Sequence, residues 1–450
     1  MLAATHLLRA ASHRGQSLSA VLIDRDDRSG GVAYSTRDPT HRLNVTAARM
    51  SALPDEPDHF VRWRAATTGA ANPGEYAPRS QYRRYLEEVL EASRGACGPG
   101  IMLARLRAEV DALEVSPGHA RLRFTDGGAL DVDAAVLAVG NMAPLPPAGC
   151  VEATTHDGYV NDPWAPGALD RLEGNRRSTI LLIGTGLTMV DVASTIAARC
   201  PAARILAVSR SGLLPRAHLP GRVAPEPSVI ALDPRLSLPV LVDTVLAQSA
   251  AGNPCWHQLV DDLRPLTQTL WKRLSLAERA EFLATRHRAW CVRRHRMPPE
   301  VGARLAEMIG SGRLMVRSGS VELAPSATGA LEGLISGSQS ITVDQAINCT
   351  GPGLDPRMSR NPLIVQLLAD GHARAHPLGI GFDTSHDGAF VTREGTPSGR
   401  LFTLGPPRIG ELYETTAIPE IRVQAQALAV SLVAALAGVL ASAGLTAQYT

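Results

Sequence analysis

The chain has 450 residues, enough for two or three domains of ordinary size. Its content of 45% hydrophobic and 20% charged residues is typical of a folded, soluble protein and excludes an intrinsically disordered one. The formal net charge of +2 gives no electrostatic reason to expect nucleic acid or a membrane surface as a partner.

Cysteine usage and the two ends of the chain suggest a compartment. The six cysteines are scattered without a C-x-x-C pair, which excludes a dithiol site of the usual spacing and argues against a zinc ribbon. The Arg- and Ala-rich composition and the lack of a signal sequence predict a bacterial, cytoplasmic protein. The uncharged segment 427–445 is rich in Ala, Ser, Gly and Val, which favours a buried C-terminal helix over a transmembrane span.

The first predicted elements form half of a nucleotide-binding unit. A short helix is predicted over residues 2–11, a polar turn over 12–17, and a strand over Ser19–Ile23 that ends on Asp24. Helix, strand and acid make up the second half of a dinucleotide-binding βαβ unit, in which the acid accepts a hydrogen bond from a ribose hydroxyl. The first strand and its glycine loop would lie before Met1. We therefore expect the natural protein to begin upstream and the strand at Asp24 to have an open neighbouring slot.

The clearest motif lies in the middle of the chain. Ile180–Ile183 is a continuous apolar run, as a strand buried on both faces requires, and it ends at Gly184-Thr185-Gly186. A helical pattern then continues to Pro201, and a second strand follows over Ile205–Val208. Glycines at such a turn let the backbone approach a pyrophosphate at the helix N-terminus. Met189 replaces the third glycine of the usual pattern, and the alternative is a strand–turn–helix connection without a ligand.

The residues after the second strand favour one nucleotide. NAD sites place an acid there, whereas an arginine accommodates the 2′-phosphate of NADP. The sequence has no acid at this point but has Arg210, followed by Arg216 and His218. We expect NADP to bind here, with NAD as the alternative; if neither does, Arg210 is a solvated loop residue.

Three later stretches add to this pattern. Two apolar strands end at glycine, one in "DAAVLAVGN" at Gly140 and one in "DQAINCTGPG". The run "RHRAWCVRRHR", residues 286–296, is either a solvated or salt-bridged helix face or a site for an anionic substrate or a nicotinamide phosphate. A strand over Leu401–Leu404 closes on Gly405, and a helix is predicted to start near Thr416 as its N-cap, with a proline tolerated in the first turn.

Together these motifs resemble a known family. The segment "GGVAYSTRDPTHRLNVTAARMSALPDEPDHFVRW" and the later "LLIGTGLTMVDVA", "SRSGLLPRAH", "RRHRMPPEV", "INCTGPG" and "LFTLGPPRIGELYETTAIPEIRVQA" are similar, in the same order, to bacterial FAD/NAD(P)-binding proteins. That family is related to the flavin-containing and N-hydroxylating monooxygenases. The resemblance spans nearly the whole chain.

The resemblance implies an α/β fold with two Rossmann-like domains. Residues 1–170 and 343–450 would form a discontinuous FAD domain that lacks its first strand and glycine loop, and residues 171–342 an NADP domain with a helical elaboration. It places Asn44 and Met50 near the isoalloxazine ring, and Gly405 and the helix at Thr416 at the pyrimidine side of the flavin. There the helix dipole would stabilise the negative charge of the reduced flavin.

The expected function is that of a flavin-dependent oxidoreductase in which NADPH reduces FAD. The resemblance favours a monooxygenase that uses O₂ to hydroxylate a small molecule. The alternatives are a reductase with another acceptor and a non-catalytic, truncated nucleotide-binding protein. Spacing identifies no catalytic residue and no metal site, and neither the substrate nor the oligomeric state can be predicted.

Overall fold

The structure is a computed structural model that describes residues 1–26, 30–69, 72–170, 172, 178–221, 232–327 and 329–447, with side chains up to residue 437 in the last helix. The helices are α1 (Leu2–Arg14), α2 (His59–Thr68), α3 (Arg79–Gly95), α4 (Leu187–Arg199), α5 (Leu238–Ala250), α6 (Trp256–Leu263), α7 (Thr267–Arg273), α8 (Leu276–Thr285), α9 (His287–Arg294), α10 (Pro299–Gly310), α11 (Pro362–Ala369), α12 (Ile409–Leu412) and α13 (Ile418–Ala447).

The strands and these helices form an α/β arrangement. They are β1 (Leu18–Ile23), β2 (Ile101–Leu106), β3 (Val110–Val115), β4 (Ala120–Phe124), β5 (Ala129–Val132), β6 (Ala135–Leu137), β7 (Tyr159–Val160), β8 (Thr179–Ile183), β9 (Arg204–Ser209), β10 (Leu314–Ser318), β11 (Val321–Pro325), β12 (Leu331–Ile335), β13 (Gln339–Val343), β14 (Gln345–Asn348), β15 (Ala389–Val391) and β16 (Pro397–Thr403).

A five-stranded parallel sheet forms the centre of the second nucleotide unit, with the order β10-β9-β8-β14-β7. Helices α4 and α10 cover one face, and the antiparallel sheet β11-β12-β13 covers the other. Because both faces are covered, β8 and β9 are almost wholly apolar. The predicted strand–helix–strand unit from residue 180 to residue 208 is confirmed.

The first unit also has the predicted elements, with α1 followed by a turn and β1. Strand β1 runs parallel to β2, which is its one strand partner in the described part of the chain. Small side chains let α1 pack closely on α13, where Ala10 and Ala11 meet Ala429 and Val433. A further sheet, β15-β16-β6, and an antiparallel sheet, β3-β4-β5, share a core with α11.

Strand pairing joins segments that were expected to lie in different domains. Strands β7 and β14 fall within the segments assigned to the FAD domain, 1–170 and 343–450. In the structure both belong to the five-stranded sheet, where β14 lies between β8 and β7. The reason is that these short strands complete the sheet on the side of β8 opposite β9.

Helices α5 to α9 pack around buried aromatic side chains that include Trp271, Trp290 and Phe282, as expected for the helical elaboration. Helix α13 buries one face, including Leu428 and Leu432. By length and composition alone, Ile418–Ala437 within α13 is the one helical stretch in the described residues that could cross a membrane.

Candidate functional site

The two glycines of the mid-chain loop have different roles. Gly184 has a φ of +111°, and a Cβ atom there would lie 2.5 Å from the carbonyl oxygen of Cys349. Gly186 has a φ of −86°, and a Cβ atom there would meet no heavy atom within 4 Å. Gly184 is therefore required by packing against the end of β14, whereas Gly186 faces open space at the start of α4.

Helix α4 begins directly after this space. Gly186 is its N-cap residue, so the N–H groups of the first turn have no carbonyl partner within the helix. Such a helix end attracts anions through these N–H groups and the helix dipole. Met189, which replaces the third glycine, is fully buried in the core beneath the helix. It fills space on the side of α4 away from the loop.

Arginines gather beside the loop. Arg288 of α9 donates from Nη2 to Thr185 Oγ1 at 3.0 Å and from Nε to Ser211 Oγ at 3.2 Å. Arg210 is exposed, and within the described residues it makes no ion pair. Burial lowers the pKa of Arg288, and the positive charge of Arg210 lowers it further. The region at the carboxyl ends of β8 and β9 is thus positively charged.

The arginine-rich run divides into two groups, and the predicted salt-bridged role describes one of them. Arg288 and Arg293 have no carboxylate partner in the described part of the chain, and Arg293 lies near Arg216. The other three arginines pair with carboxylates: Arg286 with Asp243, Arg294 with Glu414, and Arg296 with Asp261.

Asp24 directly follows β1, which is the position expected for the acid of the first unit. The residue is exposed directly after β1, and its Oδ1 accepts from the backbone N–H of Asp26 at 3.0 Å. The amino group of Met1, at the start of α1, is close enough to interact with it: burial lowers the pKa of this group and the Asp24 carboxylate raises it. The acid and the start of α1 therefore lie at the same edge of the structure.

The segment around Asn44 and Met50 connects the two units. The carbonyl oxygen of Asn44 lies 3.1 Å from Nε2 of His218, which belongs to the second unit. The Asn44 side chain is half-buried, whereas the Met50 side chain is 2% exposed and packs in the core with Leu43. Of these two predicted residues, only Asn44 presents an accessible side chain.

Gly140 follows β6 with a φ of +67°, and a Cβ atom at this position would meet no heavy atom within 4 Å. A bridge between Met142 and Gly353 joins the segments that follow β6 and β14. The two glycine-terminated strands predicted from the sequence therefore end close to each other, although they lie in different sheets.

The C-terminal motif has a tightly bonded core. Gly405 has a φ of +73°, its N–H donates to Gln424 Oε1 at 2.9 Å, and its carbonyl accepts from Thr415 Oγ1 at 3.1 Å. The predicted N-cap at Thr416 is wrong, because α13 begins at Ile418 and the carbonyl of Ala417 accepts its first hydrogen bonds. Thr416 is exposed just ahead of the helix, and the buried Thr415 makes the polar contacts.

Two residues precede these threonines: Tyr413, whose backbone is strained, and Glu414, whose carboxylate is charged. Tyr413 has a φ of +59° in a γ-turn, in which the N–H of Glu414 donates to the carbonyl of Leu412 at 2.7 Å. The Tyr413 ring stacks on Trp271 at a centroid distance of 4.6 Å. The Glu414 carboxylate accepts from Trp290 Nε1 at 3.0 Å and from Arg294 Nε at 2.6 Å. These contacts fix the backbone that leads to α13.

Comparisons with known proteins agree with this geometry. Residues 1–142 match a protein-family model described as FAD-NAD(P)-binding. The structure superposes on an ornithine hydroxylase from Pseudomonas aeruginosa with a TM-score of 0.61 and 17% identity, covering 97% of this chain and 96% of that one. The chain has the fold of these flavoproteins.

Two further structures share the fold. One is an ornithine N-hydroxylase from Kutzneria sp. 744 with reduced FAD, NADP⁺ and L-ornithine (TM-score 0.59, 14% identity, 95% of each chain covered). The other is a cadaverine monooxygenase from Erwinia amylovora bound to FAD (TM-score 0.59, 12% identity, 95% of this chain and 91% of that chain covered). The search of curated protein sequences found no match. The flavoprotein fold confirms the predicted pair of Rossmann-like units.

Sequence reasoning missed the acids that pair with the arginine-rich run. Glu414 and Glu420 lie within the quoted C-terminal motif, and Asp261 lies in α6, where no motif marks it. The excess of arginines at 286–296 was the available signal, because buried arginines require carboxylate partners from elsewhere in the chain.

Proposed function

We propose that this protein is an NADPH-dependent flavoprotein monooxygenase that hydroxylates a small molecule. The proposal is carried by the open space at Gly186, at the start of α4, together with the exposed Arg210 after β9, which makes no ion pair with any residue that the structure describes. The helix end fits a pyrophosphate and the arginine fits a 2′-phosphate. NADPH is therefore the expected reductant, with NADH as the weaker alternative.

The flavin would lie across the other unit. Asp24 and the start of α1 fit the adenosine ribose and pyrophosphate, because both lie at one edge and a helix N-terminus favours phosphate. We assign Gly405, Thr416 and the start of α13 to the pyrimidine side of the ring. We assign Asn44 and Gly140 to the same cofactor site, with Met50 packed in the core that also holds Ile418 of α13. FAD supplies the electron-transfer and oxygen chemistry when bound.

The residues of this chain would bind and orient the cofactors and the substrate, and they would exclude water from the site. The hydrogen bonds of Thr415 and Gln424 hold Gly405 in its turn. The contact between His218 and the carbonyl of Asn44 holds the NADP unit against the flavin unit. The domain division follows as 1–170 and 343–450 for FAD and 171–342 for NADP, with β7 and β14 reassigned to the NADP sheet. We place the protein in the cytoplasm.

The test is the fate of molecular oxygen. Holoenzyme supplied with NADPH and ¹⁸O₂ is screened against amines, amino acids and ring heterocycles, and the products are examined by mass spectrometry. A monooxygenase incorporates one ¹⁸O atom into the product. NADPH oxidation that never labels an organic product, but proceeds with another electron acceptor, would identify a reductase instead.

A further inference from the structure

Helix α4, which carries the proposed NADPH site at its N-terminus, contacts the flavin unit along one polar stripe. The stripe consists of Asp191, Thr195 and Arg199, which are spaced four residues apart and therefore lie on the same face of the helix. Each of them contacts either the segment 36–42 or the start of α3, at Arg79, in the flavin unit. Polar side chains therefore hold α4 against the flavin unit.

The first contact of the stripe is a largely buried ion pair. Arg79 Nη2 donates to Asp191 Oδ2 at 2.6 Å, and the two side chains are 16% and 13% exposed. Burial raises the pKa of the Asp191 carboxyl group, and the charge of Arg79 opposes this effect. Arg79 Nε also donates to the carbonyl of Arg42 at 3.1 Å, and the guanidinium lies over the ring of Trp164, 5.5 Å from its centroid. The head group of Arg79 is therefore fixed on several sides.

A chain of hydrogen bonds forms the second contact of the stripe. The Thr195 hydroxyl donates to Asp38 Oδ2 at 2.7 Å, so its oxygen accepts from the Nε2–H group of His41 at 2.9 Å. The other ring nitrogen of His41 then accepts from the Thr36 hydroxyl at 2.8 Å. Burial lowers the pKa of His41, so this ring is neutral at pH 7. Because each donor in the chain meets an acceptor, the contact favours a single geometry.

On the NADPH side, the ion pair is linked to the glycine loop. Asp191 lies in the second turn of α4, which begins after Gly186. Burial raises the pKa of the Cys349 thiol and the Asp191 carboxylate raises it further, so these two groups are neighbours. The carbonyl of Cys349 is the group that limits the space at Gly184. A shift of Asp191 would therefore move the loop that is proposed to bind the pyrophosphate.

On the flavin side, the ion pair is linked to the segment assigned to the flavin. The backbone N–H of Arg79 donates to the carbonyl of His41 at 3.0 Å, and the N–H of Leu43 donates to the carbonyl of Ala77 at 2.9 Å. These two bonds hold the start of α3 against the residues just before Asn44. One ion pair therefore joins the glycine loop to the residues beside Asn44.

We propose that Arg79 and Asp191 are positioning residues for flavin reduction: by fixing α4 against the flavin unit, they set the distance between the nicotinamide of NADPH and the flavin ring. This inference rests on the proposed function and deepens it. In the reaction one hydride, a proton with two electrons, leaves NADPH, which becomes NADP⁺, and is accepted by FAD, which becomes the reduced flavin anion. Neither side chain is assigned to a cofactor, so the pair governs the rate of the transfer and not the affinity for NADPH.

The experiment separates this rate from nucleotide binding. In flavin-loaded enzyme, stopped-flow spectroscopy gives the limiting rate of anaerobic reduction at saturating NADPH, and titration of the flavin spectrum gives the affinity for NADP⁺. We expect Arg79→Gln and Asp191→Asn each to lower the limiting rate about ten- to hundredfold, as for a misplacement of about 1 Å, while the affinity for NADP⁺ stays that of the parent. The double variant should be no slower than the slower single variant, because both substitutions break the same contact. Arg79→Lys, which keeps the charge, should recover part of the rate.

Arg94→Gln is the matched control, because Arg94 forms an exposed pair with Glu91 at the other end of α3. It should be reduced at the rate of the parent. The inference is overturned if flavin-loaded Arg79→Gln is reduced at the parent rate, if the two single effects multiply in the double variant, or if the variants lose only affinity for NADP⁺. It is also overturned if Arg79→Lys holds no flavin, because the pair would then serve folding. A parent protein that holds no flavin, or a flavin that NADPH does not reduce, would instead contradict the proposed function, and the inference with it.

Discussion

Replacing Gly186 with valine should separate nucleotide binding from folding. The backbone φ of −86° suits any L-residue, and the new side chain would enter space with no atom within 4 Å of its Cβ. The free energy of unfolding should therefore fall by no more than about 1 kcal/mol, the typical cost of losing a favoured N-cap residue. The same side chain would block a pyrophosphate from the N–H groups of α4. Loss of two charge-assisted hydrogen bonds, about 1.5–3 kcal/mol each, weakens binding by about two to four orders of magnitude.

Gly184→Ala is the matched variant with the opposite expectation. Its φ of +111° disfavours alanine, and the added Cβ would lie 2.5 Å from the Cys349 carbonyl oxygen. Backbone strain of about 1–3 kcal/mol and overpacking of about 1–3 kcal/mol are large against a domain stability of about 5–15 kcal/mol. This variant should melt at a lower temperature and be recovered in lower yield.

The assay measures flavin content, melting temperature and the NADPH dependence of anaerobic flavin reduction in each variant. We expect Gly186→Val to keep the flavin and to melt within a few degrees of the parent, while its reduction at low NADPH concentrations is lost. If Gly186→Val is reduced as readily as the parent, the space at Gly186 is not the nucleotide site and the reasoning fails.

Three further predictions concern single side chains. Arg210→Ala should weaken NADPH about ten- to hundredfold through loss of one charge-assisted contact, and NADH much less, in steady-state kinetics; equal losses would remove the 2′-phosphate assignment. Burial lowers the pKa of His218 from 6.5 to about 3. As the pH falls below 6.5, this histidine therefore binds a proton in the unfolded state but stays neutral in the folded state. His218→Gln should therefore reduce the loss of stability between pH 7 and 5 in urea unfolding, by up to about 1.4 kcal/mol per pH unit, and an unchanged slope would contradict this. Glu414→Ala leaves Arg294 with Glu420 at 3.8 Å and should cost about 3–5 kcal/mol in the free energy of unfolding; a loss below about 1 kcal/mol would show that the buried pair is unimportant.

Local patterns predicted the nucleotide unit well, because its signals lie close together in the sequence. The apolar run at Ile180–Ile183 favours a buried strand, the glycines after it permit a tight turn, and the proline ends the helix, so each signal acts locally. The separate role of Gly184 could not be predicted, since it depends on contact with Cys349, far away in the chain. The pairing of β14 with β8 is non-local in the same way.

The C-terminal motif shows the same limit at the level of single residues. Two adjacent threonines both suit an N-cap, and the sequence does not distinguish them. In the structure, Gln424 Nε2 donates to Thr415 Oγ1 at 2.6 Å, and the Thr415 side chain is buried. Thr416 is exposed, two residues before the helix begins. Likewise, the composition of residues 286–296 shows many arginines but not which of them face acids on other elements.

The central claim is that NADPH reduces a flavin bound to this chain, and one measurement tests it directly. The purified protein is loaded with FAD, freed of unbound cofactor and mixed anaerobically with NADPH. Its absorbance at about 450 nm, where oxidised flavin absorbs, is recorded. We predict a retained flavin band that NADPH bleaches and that returns when O₂ is admitted. A protein that holds no FAD, or whose flavin band NADPH leaves unchanged, would contradict the account.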